Sequence, residues 1–155
     1  VKLVDSSYTY TVESITVTGA KGGTATYTFG GTEGKGGNWN ITGSAPASGY
    51  SYTFDNTVTA KDGIYDYTQN DNSLMLYPQS LTDAKIIVKY KTEKDNATFF
   101  NDSKEVSLTG EWTNGQSIRY ILTLPVGAEK MSVNTTYDED WNATDNEQTP
   151  KNPAS

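Results

Sequence analysis

An all-β fold of the sandwich type is what this sequence predicts, and three observations carry the prediction. Apolar residues recur with period two along most of the chain, while a 3.6-residue period is absent, which is the pattern of half-buried strands. Gly, Asn, Asp and Ser punctuate those runs at near-regular spacing, as turns do. Only 34% of residues are hydrophobic, too few for thick helical layers but enough for the narrow interior between two sheets, where 11 tyrosines supply much of the area. At 155 residues the chain has the length of one folding unit. Residues 1–141 are therefore read as a single β-sandwich domain.

The elements follow in order. Tyr8, Tyr10 and Val12 share one strand face, whereas Ile15 and Val17 continue in the opposite phase, so a β-bulge or a change of sheet is expected near Glu13. A turn over Gly19–Gly23 leads to a strand marked by Tyr27 and Phe29. Glycines between Gly30 and Gly37 then form a loop before Trp39 and Ile41. That loop, GGTEGKGGN, has neither the spacing of a phosphate-binding loop nor a following helix, and it reads as a plain hairpin connection. Tyr50, Tyr52 and Phe54 alternate again, and Asp62 and Gly63 make a tight turn ahead of a short strand with Tyr65 and Tyr67.

The run Leu74–Tyr77 is apolar on both faces, which in a sandwich marks a central strand covered twice, and Pro78, unable to donate to a ladder, closes it. The next strand points Ile86, Val88 and Tyr90 one way and Lys85, Lys89 and Lys91 the other, with Ile87 the exception. Residues 92–104 read as a polar connection interrupted by Phe99 and Phe100, leading to Val106 and Leu108. Trp112, a turn at Asn114 and Gly115, and a long strand with Ile118, Tyr120, Leu122 and Leu124 on one face come next; Met131 and Val133 alternate once more. Residues 142–155 lack apolar periodicity and are expected to be a disordered polar tail. The total is nine or ten strands and no helix.

Composition excludes several function classes. A net charge of -7 offers no basic surface to displace counterions from a phosphate backbone, so nucleic acid is not an expected partner. With no His and no Cys, a Ser-His or Cys-His nucleophile pair and a His- or Cys-bearing zinc site are excluded. The 19 acidic residues supply many carboxylates, but no spacing singles out a catalytic pair. The densest cluster, Asp138, Glu139 and Asp140 with Asp145 and Glu147 beyond, lacks the alternation and glycine of a calcium loop and reads as a solvated strand end. No catalytic, cofactor-binding or metal residue is assigned, and no cofactor is expected. No stretch reaches the apolar length of a membrane span. Trp39, Trp112 and Trp141 have flat faces suited to sugar stacking, yet a thin core also consumes aromatics. Trp39, beside the glycine loop, is the candidate ligand contact.

Four segments in this order, SLMLYPQSL, AKIIVKYKT, EWTNGQSIRYILTL and MSVNTTYDEDW, resemble the C-terminal domain of the fimbrillin-like (type V pilin-like) proteins of Bacteroidetes. The shared features are the apolar segment before Pro78 and Gln79, Trp112 followed by Gly115 and Tyr120, and a last strand ending in an acidic residue and Trp141. The likeness covers residues 72–141 well and residues 1–71 by general pattern. It implies a transthyretin-like Greek-key sandwich, export as a lipoprotein precursor, and an extracytoplasmic, outer-membrane-associated place at the cell surface. It also implies pilus subunits, other surface proteins or a host or bacterial surface ligand as partners. The family has two such domains where this chain has the length of one, so a tip, anchor, accessory or trimmed domain is expected rather than a free-standing stalk subunit. The start at Val1 fits a processed or trimmed product. As a donor strand, residues 142–155 offer only Ala143 and Ala154 as apolar groups, and Pro150 and Pro153 remove two backbone donors, so the isolated chain is expected to be a monomer. A carbohydrate-binding module using exposed aromatics is the alternative.

Overall fold

The computed structural model describes residues 1–30, 37–58, 65, 67 and 74–137. Among them are eleven strands and no helix: β1 (Lys2–Leu3), β2 (Thr9–Thr18), β3 (Ala25–Thr28), β4 (Asn38–Ile41), β5 (Tyr50–Val58), β6 (Gln79–Ser80), β7 (Lys85–Lys94), β8 (Ala97–Ser107), β9 (Glu111–Trp112), β10 (Ile118–Leu124) and β11 (Ser132–Tyr137). They form a four-stranded sheet in the order β5-β2-β7-β8, a three-stranded sheet β1-β10-β11, and two ribbons, β3-β4 and β6-β9. All pairings are antiparallel except β1 with β10. The all-β class expected from period-two alternation is the one found.

The two larger sheets fill one core, as a sandwich requires. Tyr10 and Val12 of β2, Ile86, Val88 and Tyr90 of β7, and Leu122 and Leu124 of β10 are all buried in a single cluster, joined by Leu81, Leu108 and Met131. The expected irregularity in β2 falls at Glu13: Val12 pairs with Tyr90 and Ser14 with Lys89, leaving Glu13 as the extra residue. That insertion restores phase, so Ile15 lies opposite Val88 and Val17 opposite Ile86, on the same face as Tyr10 and Val12. The other face is solvated. There Lys89 pairs with Glu13 at 2.7 Å and Lys85 with Glu105 at 2.8 Å.

Several expectations are corrected. Residues 92–104 are not a connection: β7 runs to Lys94 and β8 starts at Ala97, joined by Asp95 (φ 51°) and Asn96 (φ 62°). Positive φ at both central residues is what a two-residue hairpin turn matching strand twist demands, and Asn and Asp tolerate it best after glycine. Nor is Leu74–Tyr77 a doubly covered strand. It carries no strand pairing, Met75 is 93% exposed, and the strand that does form, β6, starts after Pro78 rather than ending at it. Leu74, Leu76 and Tyr77 are half-buried outside the main core cluster.

Neither Tyr65 nor Tyr67 lies in a strand. Tyr65 instead exchanges backbone hydrogen bonds with Val1 at 2.7 and 2.8 Å, and the Tyr67 ring meets Phe54 at 4.8 Å. Gly115 has φ 70°, as the turn expected at Asn114 and Gly115 requires. The turn expected at Asp62 and Gly63, the acidic cluster from Asp138 to Glu147, Trp141 and the tail 142–155 lie outside the described residues, as do residues 31–36 of the glycine loop. Among the described residues no helix is long and apolar enough to cross a membrane.

Candidate functional site

The β3-β4 ribbon sets Tyr27 directly opposite Trp39. Cross-strand aromatic neighbours of this kind touch because antiparallel pairing brings their Cβ atoms close. The two ring centroids are 5.0 Å apart, and Phe29 sits edge-on to Tyr27, also at 5.0 Å. On its other side Trp39 meets Tyr77 at 5.1 Å with a 43° tilt. Four aromatic rings thus run in series from Phe29 to Tyr77.

Local hydrogen bonds hold both halves of this series. The Gly37 amide donates to the Tyr27 hydroxyl at 2.8 Å. A Cβ at Gly37 would collide with the Thr28 carbonyl, so only glycine lets the ribbon close there. Tyr77 is fixed through Gln79, whose side-chain amide donates to the Lys21 and Tyr77 carbonyls at 3.0 Å each and whose oxygen accepts from the Lys21 amide at 2.7 Å. The Tyr77 hydroxyl also donates to the Gly23 carbonyl at 3.3 Å. One glutamine side chain therefore does the work of a short ladder between the Gly19–Gly23 turn and the apolar segment.

A groove of about 580 Å³ opens beside the rings. Trp39, Tyr77 and Met75 contribute apolar surface; Thr113, Asn114 and Gln116, from the turn between β9 and β10, contribute hydroxyl and amide groups. That turn is ordered by the Gln116 side-chain oxygen, which accepts from the Thr113 amide at 3.2 Å. No lining residue is Asp, Glu, Lys, Arg or His, so the groove presents aromatic faces and neutral hydrogen-bonding groups.

The sequence candidate, Trp39, is the tryptophan at this groove, 38% exposed. Trp112 has a structural part: it is half-buried against the core, and its indole N–H donates to the Tyr120 hydroxyl at 2.7 Å. The sequence pattern does not mark Tyr77 and Met75 as contacts, because a dense apolar run ordinarily signals burial. The proline that follows them was the available signal of a chain leaving regular structure. Phe29, 84% exposed, continues the apolar surface at the far end of the series.

Among the described residues no group of three acidic, His or Cys side chains converges as a metal site. No family model, no curated protein and no solved structure matches the chain.

Proposed function

We propose that this chain is a non-enzymatic, extracytoplasmic surface domain of the fimbrillin-like kind, a tip, anchor or accessory subunit built on a transthyretin-like Greek-key sandwich. Its ligand contact is the groove beside Trp39. The observation that carries the adhesive reading is one groove lined by exposed Trp39 and Met75 and by half-buried Tyr77, with Tyr77 stapled in place by Gln79. Binding residues concentrate on loops held by a rigid scaffold, and here a sandwich core of Tyr10, Val12, Val88, Tyr90 and Leu124 is that scaffold.

The second reading, a carbohydrate-binding module, is favoured by the same ring series. Pyranose rings present apolar C–H faces that stack on indole and phenol, while hydroxyls satisfy amides such as those of Asn114 and Gln116. The two readings share a site and differ in whether the domain works within a surface assembly. Protease treatment of intact cells making the full-length precursor, combined with adherence of those cells to immobilised saccharides, tests the first. Digestion of the domain on intact cells, with adherence lost on Trp39→Ala, supports it. A domain shielded from protease, or glycoside turnover abolished by replacing one carboxylate, overturns it.

A further inference from the structure

We propose that β8 is a self-pairing edge: two copies of the chain join antiparallel through β8 about a twofold axis at Ser103, extending the four-stranded sheet across both. Among the described residues β8 pairs only with β7, so no described strand covers its other backbone edge along 11 residues, where the Ser103 amide donates to the neighbouring Asp102 carboxylate at 2.7 Å. Most of its side chains are exposed. A long exposed edge is a template for another strand, and folded proteins usually guard such edges with charge.

Here the guarding charges are complementary to themselves. Phe100, Asp102, Lys104 and Val106 share the face that continues the core side, since Phe100 lies opposite Thr92, Asp102 opposite Tyr90, Lys104 opposite Val88 and Val106 opposite Ile86. An antiparallel pair of identical strands centred on residue c places residue c−1 opposite c+1 of the other copy. With Ser103 at the centre, Asp102 meets Lys104 of the second copy twice, and Phe100 meets Val106 twice. Neighbouring centres fail. Asp102 at the centre sets carboxylate on carboxylate, Lys104 sets ammonium on ammonium, and Glu105 again sets like on like. A centre at Asn101 leaves Asp102 opposite Phe100. Opposite charges across a strand pair stabilise and like charges destabilise, so a single register is selected.

The ends of the strand limit the pairing. Thr92 pairs with Phe100 but Glu93 with Thr98, so Phe99 forms a bulge that bends β8 away near its start. Lys104 lies over the Phe100 ring at 4.8 Å, which holds its ammonium on this face rather than out in solvent. An interface of one strand pair is small, and small interfaces are weak and transient. The chain is thus monomeric when dilute and pairs where local concentration is high, as among neighbours tethered to one surface.

The chain has no cysteine, which makes the test direct. Ser103→Cys in the full chain, held in a glutathione redox buffer, is expected to accumulate a disulfide-linked dimer well above the level of Ser48→Cys, an exposed control in the turn before the opposite edge strand β5. Adding Asp102→Lys to Ser103→Cys should lower dimer yield several-fold, and the further change Lys104→Asp should restore it, because the swapped pair is again complementary. Circular dichroism establishes that each variant is folded; a variant that fails to fold is replaced by the corresponding Asp102→Asn and Lys104→Gln pair, which should lower yield without rescue. Equal crosslinking of Ser103→Cys and Ser48→Cys, or a charge swap that does not rescue a folded protein, overturns the proposal.

Discussion

Tyr10 and Tyr90 are adjacent in the core, both wholly buried, with rings stacked at 6.2 Å and 13° between planes. They differ in one respect: the Tyr90 hydroxyl donates to the Pro125 carbonyl at 2.7 Å, whereas the Tyr10 hydroxyl has no hydrogen-bond partner among the described residues. Replacing each by Phe removes one oxygen and leaves the ring packing in place. Tyr90→Phe deletes a bond and strands a buried carbonyl, which costs about 1–3 kcal/mol. For a domain of this size that lowers Tm by roughly 3–10 °C. Tyr10→Phe removes an unpaired buried oxygen, so it relieves a desolvation penalty instead. The net change is expected within about 1 kcal/mol of zero or slightly stabilising. Urea unfolding of the two variants and the double variant measures all three values. Equal losses for Tyr10→Phe and Tyr90→Phe would refute the assignment of the hydroxyls.

Deleting Glu13 should prevent folding, because without the extra residue either Tyr10 and Val12 or Ile15 and Val17 turn to solvent, whereas Glu13→Ala keeps the bulge and leaves the unfolding midpoint nearly unchanged. Soluble expression and near-ultraviolet circular dichroism separate the two. Gly115→Val should cost about 1–3 kcal/mol from backbone strain alone, since φ is 70° and a Cβ there would meet nothing within 4 Å; an unchanged melting temperature would contradict the turn. Burial pushes the Tyr67 hydroxyl up to about 12 and raises those of Tyr10 and Tyr90 above the ordinary value of 10. The folded chain therefore keeps these protons where the unfolded chain loses them. Stability should hold below about pH 10 and fall as pH rises toward the folded-state values, with late-titrating phenolate absorbance as the readout.

The outline of the fold was legible because alternation has a simple cause: one face of a strand meets the core. The phase break between Val12 and Ile15 could be read as a bulge for the same reason. The β7-β8 hairpin was hidden because Phe99 and Phe100 interrupt the alternation of β8, and because Asp95-Asn96 is a weaker turn signal than a pair containing glycine. At Leu74–Tyr77 the inference from apolar density to a doubly covered strand failed, since Tyr77 meets Trp39, and Met75, Leu76 and Tyr77 share a groove with the β9-β10 turn, only across long sequence separations. Trp39 was found by its position beside a glycine loop. Its partners Tyr77 and Gln79 were not, because a side chain that bonds a backbone 58 residues away leaves no periodic mark.

The central claim is that the groove beside Trp39 is a ligand-contact surface, and under the carbohydrate-binding reading its ligand is a neutral saccharide. An array of neutral and acidic glycans probed with the full chain and with Trp39→Ala tests it most directly. Trp39 is at the surface, so the variant should keep the parent's circular dichroism and melt within a few degrees of it. Binding of the parent to neutral glycans, lost in the folded Trp39→Ala variant, is the predicted result. A silent array would contradict the carbohydrate-binding reading, and a variant that binds as the parent does would contradict the assignment of the contact to Trp39.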